Sequence, residues 1–205
     1  MSNTLAYLLD GKIYINLTNR CTNSCIFCLR NDKDDVCGRN MWLDGEDFSA
    51  QDVISQLSEL PMSSEITFCG YGEPMLKLDI LKEVAKYIKE KYPNVKIRIN
   101  TNGHANFVYK RNVCEELKDL VDIISVSLNG VDEKEYNELS QPSFEGAYEE
   151  VKEFIKASSD AGIKTVATVV EGYKGRHIDI EKCERIANEL GANLRVREWI
   201  ENGYS

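Results

Sequence analysis

Six short runs of strand-forming residues, separated by longer amphipathic stretches, limit what this chain can become. The runs are KIYINLT (12–18), EITFC (65–69), VKIRINTN (95–102), DIISVSLN (122–129), IKTVATVV (163–170) and LRVREWI (194–200). Four stretches between them carry helix signals. Ser49 opens SAQDVISQLSEL with Asp52 in the capping-box position, and Pro61 closes it. LDILKEVAKYIKEKY repeats Leu78, Leu81, Ala85, Ile88 and Tyr92 at helical spacing and stops at Pro93. SFEGAYEEVKEFIKASSDAG and DIEKCERIANELG each end on a glycine suited to a helix C-terminus. Strand and helix in alternation imply right-handed βαβ units and a parallel sheet. Six units fall short of an eightfold barrel. The expected fold is therefore α/β, an open, partial (β/α)6 TIM-like barrel forming one domain over 1–205.

The strands carry a second pattern. Parallel strands covered on both faces usually read as continuous apolar runs. Here Ile13, Ile15 and Leu17 alternate with Tyr14, Asn16 and Thr18, and Ile66 and Phe68 with Thr67 and Cys69. Ile97 and Ile99 alternate with Arg98, Asn100 and Asn102, and Ile124, Val126 and Leu128 with Ser125, Ser127 and Asn129. Leu194 and Val196 alternate with Arg195 and Arg197. Period-two geometry puts each set on one face. The apolar set belongs under the helices, and the polar set lines a concave interior. Such an interior is costly unless water or a polar ligand fills it.

Three cysteines, Cys21, Cys25 and Cys28, follow the first strand at its carboxyl end, where sites in α/β folds gather. Three thiolates would leave one iron of a 4Fe–4S cluster open to an exogenous ligand. The alternative is a zinc site completed by Cys37, His104 or His177. Outside such a site His104, in a turn, reads as a solvated side chain or an acid/base group. Cys114 and Cys183 fall on helical stretches and read as small core residues, whereas Cys69 faces the concave mouth. Seven cysteines with no export signal fit a reducing, cytoplasmic setting. No apolar run is long enough for a membrane helix. The formal charge of −9, from 34 acidic and 25 basic residues, argues against broad binding to nucleic acid or anionic membranes.

CTNSCIFC matches C-x3-C-x-aromatic-C, and the chain thereby resembles the radical S-adenosylmethionine (SAM) superfamily. The resemblance implies a 4Fe–4S cluster on Cys21, Cys25 and Cys28 whose open iron is chelated by SAM. One electron then releases methionine and a 5′-deoxyadenosyl radical that abstracts hydrogen. TFCGYGEP strengthens it: Gly70, Tyr71, Gly72 and Glu73 stand where the superfamily has a Gly-Gly-Glu-like element contacting the SAM amino group. Tyr71 and Pro74 depart from its plain form. By the same resemblance, Asn102, Ser125, Ser127 and Asn129 are candidates for contacts to SAM. Thr168, Val170 and Phe27 are candidates for its adenine, and Arg195 and Arg197 for its carboxylate or an anionic substrate. Cys69 is a candidate radical relay or transient covalent site.

Taken together, YINLTNRCTNSCIFC, FCGYGEP, RINTNGHAN and SVSLNGVDEKEYNEL look like the small radical SAM proteins associated with TatD-type nucleases. The short reach beyond the sixth strand implies no auxiliary-cluster or accessory domain. The expected activity is hydrogen abstraction from a small polar, anionic substrate, with electrons from a flavodoxin or ferredoxin type donor. One alternative is activation of a glycyl-radical partner protein. Another, from a different class, is a non-catalytic zinc- or cluster-binding module.

Overall fold

A computed structural model describes residues 3–36 and 38–200, so Cys37 lies outside the described residues. In chain order the elements are β1 (Ala6–Leu9), β2 (Lys12–Ile15), β3 (Asp35–Val36), β4 (Arg39–Asn40), α1 (Ala50–Ser58) and β5 (Glu65–Phe68). They continue with α2 (Leu78–Lys91), β6 (Lys96–Thr101), α3 (Ala105–Tyr109), α4 (Cys114–Leu117), β7 (Ile123–Ser127) and α5 (Glu133–Ser140). The last are α6 (Ala147–Asp160), β8 (Lys164–Glu171), α7 (Ile180–Glu189) and β9 (Asn193–Glu198). β1-β2-β5-β6-β7-β8-β9 form one sheet. From β2 onward every pairing is parallel, so the six expected strands are present in the expected order.

Local signals account for most of the boundaries. Ser49 Oγ accepts from the Asp52 amide and Asp52 Oδ2 from the Ser49 amide, closing the capping box that starts α1. Gly162 and Gly191 take φ of +79° and +76° just past α6 and α7, a conformation that costs glycine no Cβ clash. Ile13, Ile15, Ile66, Phe68, Ile97, Ile99, Ile124 and Val126 are buried against Val53, Leu57, Leu81, Val84, Val151 and Phe154 in one continuous core.

Three parts of the architecture differ from the sequence expectation. The sheet is not wholly parallel: β1 pairs antiparallel with β2 around Asp10 and Gly11, both at positive φ. Between the cysteines and α1 lies the hairpin β3–β4. Finally, the concave face is not polar throughout. Tyr7, Val36, Met41 and Tyr71 form a second buried apolar cluster, with Leu9, Tyr14 and Leu29 packed on it. Leu29, Val36 and Met41 thus cover the concave side at the β1–β2 edge, while among the described residues no such apolar cluster lies over the β7–β9 side.

Candidate functional site

The cysteines sit on the loop leaving β2, and local backbone contacts hold that loop from two sides. On one side, the C-terminal end of α5 and the residues just after it clamp it. Ser24 N donates to Ser140 O (3.1 Å), Ile26 N to Leu139 O (3.0 Å) and Ser143 N to Thr22 O (2.9 Å). On the other side lies the turn after β5. A Cβ at Gly72 would fall 2.3 Å from Thr18 O and 2.5 Å from Arg20 O, and Glu73 N donates to Arg20 O at 2.8 Å. Glycine at 72 therefore lets the GYGEP turn lie flat on the strand-to-cysteine segment. Arg30 ties the two loops together, donating to Asn19 O (3.2 Å), Tyr71 O (3.3 Å) and Asn23 O (3.0 Å).

The thiols are half-buried. Burial pushes Cys21 up to about 11, with the nearby Glu73 adding to the rise. Burial likewise pushes Cys25 up to about 12, reinforced by Cys28 and Cys21. Grouped, desolvated thiols of this kind gain most when a cation takes the place of their protons. Cys21 Sγ already accepts from the Asn23 amide at 3.4 Å and from Asn102 Nδ2 at 3.6 Å, the outer-shell donors that an anionic sulfur needs. Among the described residues, no three His, Cys, Asp or Glu side chains converge on a single ion position. His104 spends both ring nitrogens on Thr22 and Tyr136, and His177 lies exposed against Glu171. The histidine routes to a fourth protein ligand are thus closed. The donor set, three thiols on one loop with amide donors behind them, fits a cluster anchored at three corners better than a lone zinc ion.

Glu73 lies beneath this loop, 3% exposed. Its carboxylate accepts from Met75 N (3.0 Å), Thr101 Oγ1 (2.8 Å) and Asn102 N (2.7 Å). Burial nevertheless raises it to about 7. It is a buried carboxylate that, among the described residues, forms no ion pair. Asn102, at the end of β6, reaches the cysteine loop directly, donating to Thr22 Oγ1 at 2.7 Å.

The other expected site residues divide. Ser125 and Thr168 are buried on the concave face and Ser127 is half-buried there; Thr168 Oγ1 donates to Val126 O. Phe27 meets Tyr173 edge-on with ring centres 6.0 Å apart. Cys69 is half-buried; burial raises its thiol, while an Asn100 hydrogen bond and the Arg197 charge pull it back. Arg197, half-buried, is lowered by burial, and Arg195 is exposed. Two residues turn elsewhere. The Tyr71 ring leaves the cysteine loop for the second apolar cluster, and its hydroxyl donates to Lys33 O at 2.6 Å. Asn129 sits buried at φ +52°, its Nδ2 donating to Ser140 Oγ at 3.2 Å.

Sequence reasoning passed over Arg30, Tyr136, Ser140 and Tyr173, whose hydroxyl donates to Ile26 O across 147 residues of chain. It also expected His104 to be solvated, whereas that ring is 1% exposed and held near 4 by burial. The one local hint was the polar pair Thr22-Asn23 between the first two cysteines, which needed partners from elsewhere.

A sequence model described as the radical SAM superfamily matches residues 15–190. An uncharacterised protein of Methanocaldococcus jannaschii is 23% identical, over 90% of this chain and 73% of its own. A probable GTP 3',8-cyclase of the same organism is 25% identical, over 91% of this chain and 58% of its own. Among solved structures, Streptococcus suis SuiB bound to S-adenosylmethionine superposes with a TM-score of 0.64 at 19% identity. That match covers 92% of this chain and 38% of SuiB, and it bears on the fold alone. The chain thus spans little more than half of the cyclase and well under half of SuiB.

Proposed function

The chain belongs to the radical SAM superfamily, a superfamily of enzymes, and from that premise we propose that Cys21, Cys25 and Cys28 hold a 4Fe–4S cluster completed by SAM. The observation that carries this reading is the three-thiol loop itself, with His104 and His177 both engaged elsewhere. When bound, cluster and SAM together supply a one-electron cleavage that yields a hydrogen-abstracting adenosyl radical, fed by a reductant of the flavodoxin or ferredoxin type. The protein's own residues orient and shield that chemistry. Arg30 fixes the cysteine loop against the GYGEP turn. Glu73, buried without a cation, is suited to receive the SAM ammonium, whose charge would restore its ionised form. Ser125, Ser127 and Thr168 offer hydroxyls on the uncovered half of the concave face, and Phe27 offers an apolar edge. Arg195 and Arg197 on β9 favour a small anionic substrate, since guanidinium groups pair with carboxylate or phosphate.

The deciding experiment is EPR on anaerobically reconstituted, dithionite-reduced protein, with and without SAM. A reduced 4Fe–4S signal that changes on adding SAM is the expected result. A cluster signal indifferent to SAM would overturn the SAM assignment, and zinc in place of a cluster would overturn the whole reading.

A further inference from the structure

We propose that Tyr173 is a positioning residue that keeps a bound SAM in place: it latches a bar across the mouth of the concave face, and SAM enters and leaves when that latch opens. The inference rests on the SAM assignment above and adds to it a residue that the assignment leaves unused.

The bar follows from topology. The cysteine loop leaves the carboxyl end of β2, and the 172–176 turn leaves the carboxyl end of β8. In the sheet β5, β6 and β7 stand between those two strands, a separation of roughly 19 Å along the sheet. Yet Tyr173 Oη donates to Ile26 O at 2.8 Å. Two loops so far apart along a curved sheet meet only by crossing the concave mouth. A ligand held at the cysteine loop and reaching Ser127 on β7 and Thr168 on β8 spans the same chord, so the bar closes over it.

Ile26, between Cys25 and Phe27, is gripped from both sides. Its N–H donates to Leu139 O (3.0 Å) at the C-terminal end of α5, and its carbonyl accepts from Tyr173. Arg176, in the same turn as Tyr173, pairs with Glu138, the neighbour of Leu139. The contacts through Ile26, Leu139, Glu138, Arg176 and Tyr173 therefore form a closed circuit. The Tyr173 ring stands edge-on to Phe27 and to Trp199, with ring centres 6.0 and 4.9 Å apart. These contacts carry the bar from the cysteine loop to the chain leaving β9.

The turn is built to swing as a piece. Gly175 N donates to Gly172 O (3.1 Å), Arg176 N to Tyr173 O (2.9 Å) and Gly172 N to Arg176 O (3.0 Å), so its backbone groups are satisfied internally. Gly172 and Gly175, at φ +83° and +76°, let it fold this tightly. Its base is fixed, because Ile178 is buried and its N–H donates to Glu171 Oε2 at 2.9 Å. Residues 172–177 between are half-buried or exposed. The polar latch is one hydroxyl bond plus an ion pair whose side chains are 41% and 44% exposed, and pairs that wet contribute little. Such a latch is closed at rest and opens locally without unfolding the domain.

The test compares wild type, Tyr173→Phe and Glu138→Gln as reconstituted full chains, with iron and sulfide content measured throughout. Tyr173→Phe keeps the ring between Phe27 and Trp199 and removes only the latch bond. One readout is trypsin cleavage after the exposed Lys174 and Arg176, followed by mass spectrometry with and without SAM. The other is release of labelled SAM into an excess of unlabelled SAM. SAM should slow cleavage of the wild type. Without SAM, Tyr173→Phe should be cut about fivefold faster than wild type, and it should release SAM about fivefold faster at unchanged cluster content. Glu138→Gln should move both rates the same way, by about twofold. Wild-type cleavage and release rates in Tyr173→Phe would overturn the inference. So would a less stable Tyr173→Phe that releases SAM at the wild-type rate, since that would make Tyr173 a structural brace. Loss of cluster content in Tyr173→Phe would overturn it too, placing the residue in cluster assembly. A cluster-loaded wild type that binds no SAM would instead sink the assignment beneath it, and the SAM-free cleavage rates would still report the latch.

Discussion

The two ends of the concave face are built on different principles. At the β1–β2–β5 end, Val36 and Met41 from the 29–42 excursion pack on Tyr7, Tyr14 and Tyr71, and the cysteine loop is bonded to its neighbours on both flanks. At the β7–β9 end, Ser127, Val166 and Val170 stay half-buried, and Arg195 stands in solvent on an edge strand. One end spends its polar groups on itself; the other keeps them for something else. A site that must hold a reactive centre in fixed geometry and still admit a ligand needs both kinds of surface. Changes at the closed end should therefore cost stability, and changes at the open end should cost binding.

The largest expected effect is at Gly72. In Gly72→Ala the new methyl would meet two backbone carbonyl oxygens, Thr18 O and Arg20 O, which cannot swing aside as a side chain can. The GYGEP turn must then lift off the cysteine loop, and overpacking of this kind costs about 3 kcal/mol. Urea denaturation of the cluster-free protein checks this. A loss under about 1 kcal/mol would mean that the closed end is more compliant than its contacts imply.

Glu73 and His104, both at the closed end, give a pH signature of opposing slopes. Glu73 rises from an ordinary 4.5 to about 7 on folding. Its contribution is fully present below pH 4.5 and is lost as pH climbs through 7, an effect of about 3 kcal/mol. His104 falls from 6.5 to about 4, so its contribution is present above pH 6.5 and is lost as pH drops through 4, again about 3 kcal/mol. Between pH 4.5 and 6.5 the two oppose each other, and cluster-free wild type should show little net slope from this pair. In Glu73→Gln only the histidine slope remains, so stability should increase with pH across that window. A flat Glu73→Gln profile would remove the buried histidine from the account.

Much of this was open to a reader of the sequence, and what was not has a common cause. Period-two alternation marked β2, β5, β6, β7 and β9, because residues two apart share a face whatever surrounds them. The three cysteines and Gly72 were visible for a similar reason, since short spacing and a turn glycine are local facts. The second apolar cluster was not visible, because it joins positions 7, 36, 41 and 71, which no local pattern relates. That is also why nothing in the GYGEP motif showed that the Tyr71 ring serves the cover over β1 and β2. His104 looked like a solvated turn residue because its burial comes from Tyr136 and Phe144, more than thirty residues later. Glu73 drew notice as a ligand carboxylate, but its bonds to Thr101 and Asn102 exist only once β5 and β6 are side by side.

The smallest stability effect belongs to the open end, and it discriminates most sharply between the two principles. Ser127 is half-buried at the end of β7, level with Thr168 across the β7–β8 pairing. Ser127→Ala removes one hydroxyl and leaves the apolar face of the strand untouched, so stability should move by no more than about 0.5 kcal/mol. If that hydroxyl contacts SAM, its loss should weaken SAM binding to the reconstituted protein by roughly 1 kcal/mol, about fivefold in Kd, without altering cluster content. Equilibrium binding with the cluster spectrum followed in parallel separates the two quantities. A variant that loses stability but binds SAM as before would show the open end to be structural as well, and the division between the two halves of the face would fail at that point.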